Sequence, residues 1–306
     1  MFGNKVVAFM RTVKVLFFTT MIEQGNKNAR GFHLAGIIPI SGMDLDFGFP
    51  WPDCMQPISK NYLAIERAVV ECAYAGCETI WLVCNDDIQP IIKHRLGDFI
   101  QDPYHLHATN FVKHPSEYRK QIPIFYIPVH PKDRDKRDSY GWNIMHGILR
   151  AFSVSHKMSK WVIPGRYYIA FPYGIYDPKI VYSHRKRISS PSSFGLTFEG
   201  ESIKTGAYMG FTLDASEFKQ CLYETKKACS GASKNLPIEE RWSSRNFGLD
   251  KIFKCVNIEK ENIVELKWHY NIDSWESLLK YLKSDHVLDR PPQSFFKVEK
   301  LKPLEI

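Results

Sequence analysis

The chain has 306 residues, 44% of them hydrophobic and 24% charged, which fits an ordinary globular protein able to bury a full core as one large or two medium domains. A formal net charge of +8 favours anionic partners such as nucleotides, phosphorylated sugars or nucleic acid, without choosing among them. The seven cysteines are odd in number and form no CxxC pair, so neither a zinc ribbon nor a disulfide scaffold is indicated, and buried thiols in the cytosol are expected.

The first apolar stretch, Val6 to Ile22, is interrupted by Arg11 and Lys14. A membrane span needs about 20 predominantly apolar residues, and a charge near its centre is costly. Residues 1–31 are therefore expected to form an N-terminal extension off the membrane. One α/β domain over 32–285 and a Pro-containing, lysine-rich tail over 286–306 should follow.

Leu34 to Ile40 is a short apolar run ending in Pro39, Ser41 and Gly42, the pattern of a buried strand followed by a loop. After Lys60, the apolar positions Leu63, Ile65, Ala68, Val69, Cys72 and Ala73 recur mostly at three- and four-residue steps. This predicts an amphipathic helix closing at Gly76. Thr79 to Cys84 supplies a second strand. Strand, loop, helix and strand make a βαβ unit with a right-handed crossover and parallel pairing. Such units bind ligands at the carboxyl ends of their strands, where the loop after Ile40 and the turn Asn85-Asp86-Asp87 lie side by side. Asp86 and Asp87 serve equally well to end a strand and cap a helix starting near Pro90.

Farther along, Ile122 to Pro128 reads as a strand and Ser139 to Phe152 as a helix. The N-terminal turn of that helix offers N–H groups to a ligand, with Gly141 and Asn143 as its contacts, and Ser139 is a candidate cap. Strand-like runs at Trp161 to Ile163 and Tyr167 to Phe171 lead into Pro172-Tyr173-Gly174-Ile175-Tyr176-Asp177. The segment Lys204 to Phe211 carries Gly206 and Gly210, which permit close backbone approach or mark a bulge. Trp268 to Leu279 holds Asp273 and Ser274 before a helix that runs through Lys283. Two basic clusters remain: 132–137 alternates in sign, whereas His184 to Arg187 is purely basic and suits either a surface loop or phosphate contacts.

Taken in order from Leu34 to Ser284, these elements resemble the nucleotide-diphospho-sugar transferase fold and, within it, the sugar-phosphate nucleotidyltransferases. The implied fold is a mixed, mainly parallel, Rossmann-like central sheet flanked by helices. By this resemblance Pro39, Ile40, Ser41, Gly42, Asp86, Gly141 and Asn143 bind the nucleotide. Gly206 and Tyr208 lie beside the sugar, and Lys60, in the element Pro57-Ile58-Ser59-Lys60, is the catalytic cation. Asp177 and Asp273 are the implied ligands of Mg²⁺ or Mn²⁺, whose hard-cation chemistry suits carboxylate and phosphate oxygens. The chain departs from the family in two places. Its first loop, Met43 to Pro50, has acids and aromatics in place of a glycine-rich basic sequence, and Pro172-Tyr173-Gly174 stands where the first metal-binding aspartate is usual.

The resemblance implies transfer of a nucleotidyl group from a nucleoside triphosphate to a sugar phosphate. Two other functions fit the same sheet. One is glycosyl transfer from a nucleotide sugar, with nucleic acid among the acceptors; the other is nucleotide-sugar binding without catalysis.

Overall fold

The computed structural model describes residues 33–40, 48–103, 121–129, 140–158, 163–232, 248–292 and 295–296. The N-terminal extension, Ser41 and Gly42, Ser139, Trp161 and the alternating cluster 132–137 lie outside the described residues.

The strands are β1 (Leu34–Pro39), β2 (Pro57–Ser59), β3 (Tyr62–Leu63), β4 (Thr79–Cys84), β5 (Phe99–Gln101), β6 (Gln121–Pro128), β7 (Arg166–Ile169), β8 (Gly174–Ile175), β9 (Ser193–Thr197), β10 (Phe211–Asp214), β11 (Ile258–Glu265) and β12 (Tyr270–Asn271). The helices are α1 (Ala64–Ala75), α2 (Gln89–Leu96), α3 (Tyr140–Met158), α4 (Lys179–Ser183), α5 (Arg185–Ile188), α6 (Ala215–Ala232), α7 (Leu249–Ile252) and α8 (Trp275–Leu282).

Eight strands form one sheet in the order β11-β9-β10-β7-β1-β4-β6-β5. The β1–β4, β4–β6, β1–β7 and β9–β11 pairs are parallel, and β10 and the edge strand β5 run antiparallel to their neighbours. This is the mixed, mainly parallel sheet expected from the βαβ pattern. Every residue of β1 is buried, which explains why its sequence is a continuous apolar run rather than an alternating one.

Neighbouring residues of β1 identify the layers. A Cβ on Gly36 would stand 2.8 Å from Cys72 Sγ in α1, whereas Ile37 and Val83 press on Gly147 of α3. Successive strand residues face opposite sides, so α1 covers one face of the sheet and α3 the other. Helix α1 begins where Glu66 Oε2 accepts the Leu63 N–H at 3.0 Å, and it ends at Gly76, whose φ of 91° is the left-handed conformation that glycine adopts without strain.

The segment Lys204 to Phe211 differs from the strand-like reading. Ile203–Thr205 is a 3₁₀ turn, Gly206 has φ 96°, and pairing begins only at Phe211. Ser202 Oγ accepts the Lys204 N–H and Thr205 Oγ1 accepts the Ser202 N–H, and these local bonds compete with a ladder. The basic cluster at His184 to Arg187 falls on the short helix α5, with His184 as its N-cap. Its Arg185 pairs with Asp102 at 3.4 Å and packs over Gly76. At the other end, residues 287–292 and 295–296 lie against α1 and α8: Tyr281 Oη accepts the Leu288 N–H, Arg290 pairs with Glu66 at 3.2 Å, and Phe295 and Phe296 are buried. No helix among the described residues is long and apolar enough to cross a membrane.

Candidate functional site

The carboxyl edge of the sheet is where the chain leaves β1, β4, β6 and β7. Backbone bonds extend the ladder one step past the strands, with Ile40 N donating to Val83 O, Val129 N to Cys84 O and Ala170 N to Ile37 O. Pro39 and Ile40 are thus buried at the centre of this edge. Asp86 is exposed in the turn after β4, and its neighbour Asp87 accepts the Ile88 N–H at the start of α2.

Asn143 lies in the first turn of α3 and is 2% exposed. It precedes Gly147 by one turn on the face that rests on Ile37 and Val83, which places it toward the ends of β1 and β4. Its Nδ2 has no hydrogen-bond partner among the described residues. Gly141, two residues earlier, is occupied by packing: a Cβ there would overlap the side chain of Ile252 in α7.

Beyond β7, the chain is stitched to two later segments. Strand β8 pairs antiparallel with β12, Ile272 N donates to Tyr173 O, and Tyr208 N donates to Asn271 Oδ1 at 3.2 Å. A Cβ on Gly174 would fall inside the Tyr208 carbonyl oxygen, so only glycine fits at this crossing. The result brings together Tyr173, Tyr208 and Asp273. The ring of Tyr140, at the start of α3, lies 5.6 Å from both Tyr173 and Tyr208, and Phe171 lies 5.7 Å from Tyr208. Burial is the main force pushing the Tyr140 and Tyr173 hydroxyls up, the charge of Asp53 adds to it on both, and the hydrogen bond between them raises Tyr173 while lowering Tyr140. Burial and then the Asp273 carboxylate push Tyr208 up to about 12.

Asp273 itself accepts from Ser277 Oγ at 3.4 Å, next to Ser274, which caps α8 by accepting the Ser277 N–H. Asp177 lies elsewhere. Its Oδ1 accepts the Lys179 N–H, and the residue lines a cavity of about 400 Å³ with Tyr62, Tyr74 and Arg290. Lys60 is exposed in the turn between β2 and β3, with no ion pair or hydrogen bond among the described residues. Gly206 closes the 3₁₀ turn two residues before Tyr208.

One group behind the site escaped the sequence reading. Arg67 and Glu71 of α1 form a fully buried ion pair at 2.8 Å, and Arg67 Nη2 donates to Phe171 O at 2.6 Å. Tyr168 Oη donates to Glu71 at 2.6 Å, Tyr176 Oη donates to the same carboxylate, and Gly210 N donates to Tyr176 Oη at 3.1 Å. The guanidinium also stands 4.7 Å from the centre of the Tyr176 ring. Burial pushes Glu71 up, against the opposing pull of Arg67 and the two tyrosines. This network fixes the chain from Phe171 to Tyr176, which carries Tyr173. The i, i+4 pair Arg67/Glu71 looks like a surface salt bridge in sequence, and only the burial of every residue of α1 distinguishes it.

No family model matches the sequence, and neither does any curated protein. Solved structures do. A chain assigned as a glucose-1-phosphate thymidylyltransferase from Bacillus anthracis, in complex with sucrose, superposes with a TM-score of 0.52 at 10% identity, covering 85% of this chain and 98% of that one. A UDP-glucose pyrophosphorylase complexed with UDP-glucose gives 0.45 at 12% identity, covering 82% and 97%. The UDP-glucose pyrophosphorylase of Acinetobacter baumanii gives 0.43 at 13%, covering 82% and 92%. At such identities the likeness is one of fold, and the first superposition identifies it as the nucleotide-diphospho-sugar transferase fold.

Proposed function

We propose that this chain binds a nucleotide or nucleotide sugar at the carboxyl edge of its sheet and acts as a sugar-phosphate nucleotidyltransferase. The observation that carries this reading is Asn143, a buried amide donor without a partner among the described residues, held in the first turn of a 19-residue helix at the strand ends. Leaving such a donor unpaired costs about 1–3 kcal/mol, which a base carbonyl or phosphate oxygen would offset. The half-buried ring of Tyr208 offers a face for a base or sugar, and the buried rings of Tyr140 and Tyr173 pack against it.

In nucleotidyl transfer an oxygen of the sugar phosphate attacks the α-phosphorus of the triphosphate. A new P–O bond forms as the bond to the bridging oxygen breaks, and pyrophosphate leaves with the negative charge. The chain contributes position: α3 sets Asn143, the β8–β12 ribbon sets Tyr173, Tyr208 and Asp273, and the Arg67–Glu71 pair holds Phe171. A divalent cation would supply charge neutralisation when bound. Asp177 and Asp273 lie in different surroundings and do not fit as two ligands of one Mg²⁺ or Mn²⁺.

A second reading, recognition of a nucleotide sugar without transfer, is favoured by Pro172. It stands where the family resemblance puts a carboxylate, and the buried ring of Tyr173 follows it. A thermal-shift panel of nucleoside triphosphates, nucleotide sugars and nucleic acid oligomers, with and without Mg²⁺ or Mn²⁺, tests both, because a ligand that binds the native state stabilises it. Metal-dependent stabilisation by one triphosphate, with pyrophosphate released when a sugar 1-phosphate is added, supports transfer. Stabilisation by a nucleotide sugar without pyrophosphate release supports the second reading. A response to oligonucleotides alone, or to no member of the panel, overturns both.

A further inference from the structure

The described structure brings into contact two thiols that the proposed function does not use. Cys221 of α6 and Cys255, three residues beyond α7, place their Sγ atoms 2.9 Å apart although 34 residues separate them in the chain. That separation is within about 1 Å of the covalent sulfur–sulfur distance. Cys221 is buried and Cys255 partly exposed, so an oxidant from solvent meets Cys255 first. Burial, reinforced by the Cys255 sulfur, pushes the Cys221 thiol up and disfavours it as the first nucleophile.

We propose that Cys221 and Cys255 form a redox modification site, oxidised to a disulfide by a peroxide, with Cys255 as the attacking sulfur and Cys221 as the resolving one. The Cys255 thiolate attacks one oxygen of hydrogen peroxide, the O–O bond breaks, and hydroxide leaves to collect the proton that Cys255 released. Cys255 is then a sulfenic acid. The Cys221 sulfur attacks the Cys255 sulfur, the S–O bond breaks, and the departing hydroxide leaves as water with the Cys221 proton. Two thiols lose two electrons and two protons in all, and one peroxide becomes two waters.

The bond would tie α6 to the turn that follows α7. Ile252 of α7 packs on Gly141 in the first turn of α3, and Phe253 meets Phe211 at a ring distance of 5.1 Å. Oxidation therefore pins the residues that support the start of α3, next to Asn143. Cys72 and Cys77 provide an internal comparison. They also hydrogen-bond to one another, but both are at most 1% exposed, and neither offers a sulfur to the oxidant.

The test treats the full chain with hydrogen peroxide, denatures it and alkylates the remaining thiols without reduction, and maps the peptides by mass spectrometry. The expected result is a cross-link joining the Cys221 and Cys255 peptides, lighter by two hydrogens and reversed by dithiothreitol, with Cys72 and Cys77 alkylated. The melting temperature should rise by roughly 5–10 °C on oxidation. Cys221→Ser should leave Cys255 trapped as a sulfenic acid that dimedone labels, whereas Cys255→Ser should leave Cys221 unlabelled. Alkylation of both thiols after peroxide, over-oxidation of Cys255 with Cys221 still reduced, or cross-linking of either to another cysteine would overturn the proposal.

Discussion

Arg67 and Glu71 face each other across 2.8 Å with neither side chain exposed to solvent, one turn apart on the helix that packs behind the candidate site. Two buried charges are retained at this cost only when each is paired, and here the pair also holds the Phe171 carbonyl and two tyrosine hydroxyls. Removing one partner leaves the other charged and buried. Arg67→Met is therefore expected to destabilise the fold by about 3–5 kcal/mol in chemical denaturation, with Glu71→Leu similar. The double variant should recover much of the loss. A loss in the double variant equal to the sum of the two single losses would show that the two charges act independently.

Gly174 is expected to be intolerant of substitution for a different reason. Its Cα crosses the Tyr208 carbonyl with no room for a Cβ, at the point where β8 and β12 are held together. Gly174→Ala should force the ribbon apart and cost about 3 kcal/mol or more, as other sterically over-filled core positions do. Gly206→Ala supplies the comparison: φ is 96° and ψ 3° there, and the nearest atom to the added carbon, Asp250 Cβ, stands at an ordinary 3.9 Å, so it should cost only the left-handed backbone strain of about 1–2 kcal/mol. Similar melting temperatures for the two variants would rule out the close crossing.

A pH dependence follows from His269. Burial, the largest influence, lowers its pKa to about 4, from an ordinary value of 6.5. The unfolded chain therefore binds a proton near pH 6.5 that the folded chain refuses until about pH 4. The neutral ring's contribution is fully present above pH 6.5 and is lost as the pH falls toward 4, by up to about 3 kcal/mol. Denaturation at a series of pH values should show this slope in the parent chain and a flatter profile in His269→Phe. A parent profile that is flat from pH 7 to 4 would contradict the half-buried neutral ring.

Much of the central sheet could be read from residues alone because each signal was local. The apolar run at Leu34, the helical spacing from Leu63 to Gly76 and the second run at Thr79 each report one element, and β1, α1 and β4 lie where those patterns end. The antiparallel strand β10 and the edge strand β11 were not legible, since their pairing depends on residues far apart in the chain. The stretch at Lys204 misled because its glycines and aromatic fit a strand as well as a turn, and the Ser202–Thr205 bonds that decide between them are side-chain contacts. The candidate site divides in the same way. Asn143 stands out in the sequence by its place at a helix start, and Asp273 only through the family resemblance. Tyr140 and the Arg67–Glu71 pair matter through burial, which a sequence of this composition does not reveal.

The two aspartates offer the sharpest comparison within the site. Asp273 is close enough to Tyr208 to raise its hydroxyl, whereas Asp177 faces Tyr74 and a separate cavity. If ligand lies against Tyr208, Asp273→Asn should weaken nucleotide or nucleotide-sugar binding by about 10- to 100-fold, the worth of one charged hydrogen bond. Asp177→Asn should leave the affinity within about twofold, since its carboxylate serves the Lys179 N–H and the cavity wall. Ser274→Ala controls for the cap: it should lower stability by about 1 kcal/mol while keeping affinity. Calorimetric titration of the three variants separates these effects. Equal losses in Asp177→Asn and Asp273→Asn would mean that both carboxylates meet the ligand, and the ligand would then have to span both places.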